Sequence, residues 1–98
     1  MKRLVVRSIA ESDIREAAQW FTRERGRHVA IDFLDAVEAT FDRIREQSRM
    51  FAVIEHDIRR APVAGFPYGV FYVDGSDSVS VLAVMHLARD PATWERRR

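Results

Sequence analysis

Cysteine is absent from this 98-residue sequence, which excludes disulfides and thiolate chemistry and gives no support for secretion. Lysine is almost absent as well, because Lys2 is the only lysine among the 16 basic residues. The longest mostly apolar stretch, from Val79 to Ala88, is far too short to span a membrane. The N-terminal apolar run from Leu4 to Val6 is too short for a signal peptide. We therefore expect a cytoplasmic protein without membrane association.

A strong charge of either sign is also missing. The net charge is +1, from 16 basic and 15 acidic residues, so no overall field attracts nucleic acid and we expect no direct sequence-specific DNA binding. The basic residues other than Lys2 are arginines, whose planar side chains suit carboxylates and tolerate burial at interfaces. With 47% apolar residues, the chain is expected to fold as one domain over residues 1–98.

Two amphipathic helices are predicted after a first strand at residues 2–8. Ser12 and Asp13 provide capping oxygens for the first helix, and apolar residues follow them at helical spacing as far as Phe21. Gly26 is expected to end that helix. The second helix is predicted from about residue 29 to residue 47. Because the turn between them is short, the two helices should form an antiparallel hairpin that needs a covering layer.

The hydrophobic period changes to two from Val53 onward, which predicts strands. One strand is predicted for residues 53–60, a second for 69–73 and a last for 79–85, with a hairpin loop at 74–77. The last strand is apolar on both faces, so we expect it inside the sheet. Asp90 is expected to cap a final turn, followed by a solvated Arg96-Arg97-Arg98 terminus. The order β-α-α-β-β-β predicts an α+β fold, a helical hairpin packed on a small, mostly antiparallel sheet.

Several segments, in their order along the chain, resemble the RelE/ParE superfamily of toxins from type II toxin–antitoxin systems. The segments are residues 10–14 after the first strand, Arg59-Arg60, residues 66–72, residues 81–86, Arg89-Asp90-Pro91 and Trp94. The resemblance implies a cofactor-free toxin that arrests growth unless a cognate antitoxin neutralises it. It also implies a role in stabilising a plasmid or genome. That antitoxin is expected to be encoded next to the toxin and to form a hetero-oligomer with it.

Two activities occur in the superfamily, and the residue at position 69 favours one of them. RelE-like members are ribosome-dependent endoribonucleases that cut messenger RNA, whereas ParE-like members poison DNA gyrase. The resemblance places a phosphate-binding cation of the nucleases at Gly69, which has no side chain. Since phosphoryl transfer depends on stabilising negative charge, the missing cation favours the ParE-like branch and a non-enzymatic toxin. A degenerate, non-toxic member that only binds antitoxin is the remaining alternative.

If the chain were a nuclease, its catalytic candidates would be His86, Arg59 and Arg60. A histidine at the end of a strand is more often structural, and adjacent strand residues such as Arg59 and Arg60 point to opposite faces. The segment Glu55-His56-Asp57 offers metal-ligating groups, but alternation on a strand keeps them apart, so we expect no metal site.

Arginine and tryptophan side chains are the best candidates for binding a target or the antitoxin, because these residue types dominate binding hot spots. The candidates are Arg59, Arg60, Arg89, Trp94 and Arg96. Trp94 follows the last strand and is expected to lack a core role. Trp20 flanks the apolar stripe of the first helix and is expected in the core.

Overall fold

The computed structural model describes residues 1–89 and 91–97, so Asp90 with its expected capping role, and Arg98, lie outside the described residues. The elements are β1 (Arg3–Val6), α1 (Ser8–Arg25), α2 (Arg27–Glu46), β2 (Val53–Glu55), β3 (Ile58–Pro62), β4 (Tyr68–Asp74), β5 (Ser78–His86) and α3 (Pro91–Glu95). Two helices pack on one five-stranded sheet, which confirms the predicted fold class. In the described part of the chain, no helix is long and apolar enough to cross a membrane.

The helical hairpin turns at Gly26, as predicted. Gly26 has a φ of 103°, in the left-handed region that favours glycine, and its N–H donates to the carbonyl oxygen of Phe21 at 3.0 Å. The first helix begins at Ser8, four residues before the predicted capping residue Ser12. Asp13 lies inside this helix and does not cap it, and its carboxylate accepts a hydrogen bond from the backbone N–H of Val84 at 3.1 Å.

The sheet has the strand order β1-β5-β4-β3-β2, with β1 parallel to β5 and the other pairs antiparallel. Strand β5 therefore lies inside the sheet, as its apolar sequence predicted. The single strand predicted for residues 53–60 is instead two strands, since Glu55 pairs with Ile58 around a tight turn. His56 has a φ of 50° in this turn. The turn contains no glycine, asparagine or proline, and Asp57 is its only residue of a type common in turns, so the sequence signal for it is weak.

Both faces of the sheet are covered. On the helix side, β4 and β5 contribute Val70, Tyr72 and Val84 to a core shared with α1 and α2. The opposite side, which we call the far face, has its own apolar cluster that includes Phe71 and Met85. A β-bulge shifts the pairing at Leu82, since Tyr72 pairs with Val81 and Phe71 pairs with Ala83.

The two tryptophans have the opposite roles to those predicted. Trp94 on α3 is buried at 5% exposure and stacks on Phe71 of the far face, with ring centroids 5.2 Å apart and planes at 17°. Trp20 remains 42% exposed beside the buried Phe21. The expectations that Trp94 lacks a core role and that Trp20 lies in the core are both wrong. A short helix after β5 folds back over the far face, which the local sequence pattern does not reveal.

Arg97 connects the end of the described chain to α1. The prediction of a solvated terminus is therefore wrong at this residue. Its guanidinium contacts the carboxylate of Asp13 at 2.5 and 3.2 Å and the carbonyl oxygen of Leu82 at 3.4 Å. Arg7 donates to the backbone carbonyl of Arg97 at 2.6 Å. The bond from Val84 to Asp13 and the bond from Arg97 to Leu82 satisfy backbone groups of β5 beyond the end of β1.

Replacing Trp94 by alanine should destabilise the protein much more than the same change at Trp20. Truncating a buried tryptophan to alanine lowers the free energy of unfolding by about 3–5 kcal/mol. The same truncation at an exposed tryptophan changes it by no more than about 1 kcal/mol. Urea unfolding of Trp94→Ala and Trp20→Ala measures the difference. Equal losses in the two variants would contradict the assignment of Trp94 to the core.

Candidate functional site

The three nuclease candidates do not lie together, because Arg60 pairs with Phe71 of the far face and Arg59 pairs with Tyr72, four residues along β4 from Tyr68, which pairs with His86. In the β4–β5 pairing, Tyr68 is opposite His86 and Gly69 is opposite Met85. Tyr68 packs on the helix-side core and Met85 belongs to the far-face cluster, so His86 and Gly69 lie on opposite faces of the sheet. Two groups on opposite faces cannot act on one phosphate.

The position of Gly69 is filled by the stem of a neighbouring arginine. A Cβ atom on Gly69 would lie 3.0 Å from Cγ of Arg60 and 3.1 Å from Cδ2 of Leu87. Real Cβ atoms rarely approach so closely, and Arg60 itself is exposed at its charged end. A basic side chain at position 69 would therefore require the side chains of Arg60 and Leu87 to shift by a few tenths of an ångström.

Arg59 lies on the helix side of the sheet and stabilises the loop that precedes β2. Its guanidinium donates to the carbonyl oxygens of Phe51 at 2.7 Å and Arg49 at 3.2 Å, which holds the loop between α2 and β2. Beside it, the hydroxyl of Tyr72 donates to the carbonyl of Ser48 at 2.7 Å. Burial raises the pKa of Tyr72 to about 12, with Arg59 partly opposing that shift and Asp74 adding to it.

Asp74 pairs with Lys2 at 2.6 Å and with Arg49 at 3.6 Å. Burial on its own would raise the pKa of this carboxyl. Hydrogen bonds from Lys2 and Ser48, together with the positive charges of Lys2 and Arg49, outweigh burial and hold the pKa of Asp74 below its usual value. These contacts connect the N-terminus to the β4–β5 turn and serve stability.

His86 is exposed at the end of β5 and has two local contacts. Its Nδ1 accepts a hydrogen bond from the N–H of Ala88 at 3.0 Å, and its ring lies edge-on to Tyr68 with centroids 5.4 Å apart. Burial raises the pKa of the Tyr68 phenol, which Arg89 partly opposes. Among the described residues, no group of three or more His, Cys, Asp or Glu side chains lies close enough to hold a metal ion.

An open groove lies where α1 meets the ends of β4 and β5, and we call it the Trp20 groove. It combines a cavity of about 540 Å³ and one of about 360 Å³, which share Trp20, Tyr68 and His86. The larger cavity is also lined by Phe21, Arg25, Val29, Gly65, Phe66 and Pro67. The smaller cavity is also lined by Asp13, Glu16, Ala17, Gln19, Arg23, Val84, Met85 and Arg89.

Sequence reasoning missed the Trp20 groove. Arg89 is the only one of the five predicted binding residues that lines it. Helical periodicity assigned Trp20 to the core, and residues 66–68 come from a loop and strand that are distant from α1 in sequence. Arg60 and Arg96 are exposed outside the groove, whereas Trp94 is buried and the guanidinium of Arg59 is bound to carbonyl oxygens.

Comparisons with known proteins agree with this architecture. The model of the family described as "ParE toxin of type II toxin-antitoxin system, parDE" matches residues 4–91. The chain belongs to the ParE toxin family. A solved structure described as the chromosomal ParDE TA system from P. aeruginosa matches with a TM-score of 0.78 and 11% identity, covering 88% of this chain and 96% of that chain. Among curated proteins, none matches.

Membership of the ParE family confirms the branch that Gly69 favoured within the superfamily. The structural match at 11% identity supports the shared fold alone. As a toxin of a type II toxin–antitoxin system, a ParE-family chain has an antitoxin as its partner. The Trp20 groove and the exposed Arg60 are surfaces that a protein partner can contact.

In the folded protein, Tyr72 should ionise only near pH 12, well above the value of 10.0 for a free tyrosine. The unfolded chain loses this proton first, so the free energy of unfolding should fall as the pH rises from about 10 toward 12. A near-ultraviolet titration of tyrosinate absorbance measures this ionisation. Tyr72→Phe should remove the highest step and leave that of Tyr68, and a Tyr72 step near pH 10 in folded protein would contradict its burial.

Proposed function

We propose that this chain is a cytoplasmic, non-enzymatic toxin that poisons DNA gyrase and arrests growth unless its cognate antitoxin, encoded next to it, neutralises it. The packing at Gly69 supports this proposal most directly. The stem of Arg60 lies only 3.0 Å from where the Cβ of a phosphate-binding side chain would stand, and His86 lies on the opposite face of the sheet. Without a converging cation and acid–base group, the chain is better suited to binding than to cutting RNA.

Binding to the target is proposed to use exposed arginines on and next to the far face. Arg60 presents its charged end there, and Arg96 is exposed directly after α3. Arginine anchors concentrate binding energy because each guanidinium offers several directed donors. Trp94 and Arg59 are proposed to support this surface from within, since Trp94 holds α3 on Phe71 and Arg59 holds the loop before β2.

Expression without antitoxin should arrest growth and induce a DNA damage response. With purified gyrase and plasmid DNA, the chain should increase double-strand breaks, while messenger RNA on programmed ribosomes should stay intact. Codon-specific cuts in the message would contradict the proposal, and His86→Ala should then reduce cutting by about a hundredfold if His86 is the acid–base group. A chain that does neither would be a non-toxic member.

Arg60→Ala and Arg96→Ala should each weaken gyrase poisoning by about tenfold, the effect of losing a binding anchor of roughly 1.4 kcal/mol. Arg15→Ala is the matched control, because Arg15 is exposed on α1, on the helix side of the sheet. Breaks are quantified against toxin concentration, and thermal melts check the fold. Unchanged poisoning by both far-face variants would place the target surface elsewhere.

A further inference from the structure

Charged side chains are distributed unevenly between the two sides of the sheet, although the net charge is only +1. On the helix side, the exposed charged residues of α2 are mostly acidic: Asp32, Asp35, Glu38, Asp42 and Glu46 against Arg27 and Arg43. Toward the far face, the strands β1, β3, β4 and β5 direct no acidic residue, and the described part of α3 adds one, Glu95. The near-neutral molecule is therefore polarised, with the far face as its basic side.

Three arginines on or beside the far face have charged ends that no other part of the described chain binds. Arg3 points away from the helix-side core on which Leu4 packs, Arg60 pairs with Phe71 of the far face, and Arg96 directly follows α3. All three arginines are exposed, and none forms an ion pair within the described residues. Each guanidinium therefore keeps its donors and its charge for a partner.

These arginines stand on a polar surface, because α3 covers the apolar cluster beneath it. Phe71 is 3% exposed and Trp94 is 5% exposed, while Ser80 adds a hydroxyl to the uncovered part of the face. The exposed apolar residues Val5 and Leu87 stand singly, on β1 and after β5. Protein interfaces concentrate binding on buried apolar and aromatic anchors. Contacts to a nucleic-acid backbone use arginines and hydroxyls on a wet, polar surface, which matches this face better.

The spacing of the arginines also suits a duplex. Strands β5 and β4 lie between β1 and β3, so Arg3 and Arg60 are separated by at least three strand spacings, about 14 Å. This separation is comparable to the width of the major groove of DNA, about 12 Å. Arg96 follows the helix that covers part of the strands between them. Long side chains at the two margins can therefore reach phosphates on both sides of one groove.

We propose that Arg3, Arg60 and Arg96 contact the phosphate backbone of the DNA segment that gyrase holds, without reading its sequence. This inference rests on the proposed function and names the component of the target complex that the far face contacts. The acidic surface of α2 favours the orientation in which the far face meets the polyanion. Because the whole chain is nearly neutral, the contact depends on gyrase bringing the toxin and the DNA together.

Surface plasmon resonance can compare toxin binding to immobilised gyrase with and without a bound linear DNA duplex, over a range of salt concentrations. The parent toxin should bind more tightly when the duplex is present. The triple variant Arg3→Ala, Arg60→Ala, Arg96→Ala should bind DNA-loaded gyrase at least about tenfold more weakly and DNA-free gyrase as the parent does. Each phosphate contact adds about 0.9 to the slope of log affinity against log salt, so the slope should fall by about 2.7.

Two further triple variants serve as controls. Arg15→Ala, Arg23→Ala, Arg27→Ala removes the same charge from exposed arginines of the helical hairpin and should bind both forms of gyrase like the parent. Lysine in place of alanine at positions 3, 60 and 96 should keep the salt slope and most of the affinity, because a phosphate accepts a point charge. A fork-shaped pairing of arginine with a protein carboxylate would not survive that change.

Equal weakening toward DNA-loaded and DNA-free gyrase would assign the three arginines to a protein contact and overturn the inference. An unchanged salt slope, or equal losses in the lysine and alanine variants, would overturn it as well. If the parent toxin increases double-strand breaks while any of these results holds, only this inference fails. A parent toxin that binds neither form of gyrase and causes no breaks would overturn the proposed function, and this inference with it.

Discussion

The rest of the structure depends on β5, a strand that is apolar on both faces and therefore needs cover on both. Leu82, Ala83 and Val84 are essentially buried although their side chains divide between the two faces. The helical hairpin covers one face and the short helix α3 covers the other. Asp13 connects the two covers, because its carboxylate binds the N–H of Val84 and the guanidinium of Arg97 together. Losing either cover would leave apolar strand surface in water.

This double cover separates the Trp20 groove from the far-face surface on which target binding is proposed. Side chains along β4 point alternately to the helix side, as Tyr68 does, and to the far face, as Phe71 does. The Trp20 groove belongs to the first side and Arg60 to the second. A partner on one side therefore need not compete directly for contacts with a partner on the other.

Local patterns in the sequence predicted the elements well, because helical and strand periodicities depend on neighbouring residues. The stop at Gly26 and the interior position of β5 both followed from such patterns. The features that escaped prediction depend on distant contacts. Trp94 and Arg97 have ordinary surface sequence surroundings, and only the return of the chain over Phe71 and Asp13 makes them structural. For the same reason, only His86 and Arg89 of the groove were candidate site residues in the sequence, since its walls come from both helices, residues 65–68 and residues 84–89.

The pairing of β1 with β5 also has a consequence for the order in which the molecule forms. Arg3 pairs with Ser78, and Asp13 binds Arg97, so the contacts that close the sheet join residues from opposite ends of the described chain. Such distant contacts form slowly, because a large loop must close before they contribute any stability. The helical hairpin can form while the ribosome is still translating, whereas the far face is complete only after residue 97 has been synthesised. The surface proposed to act on the target is therefore the last part of the protein to mature.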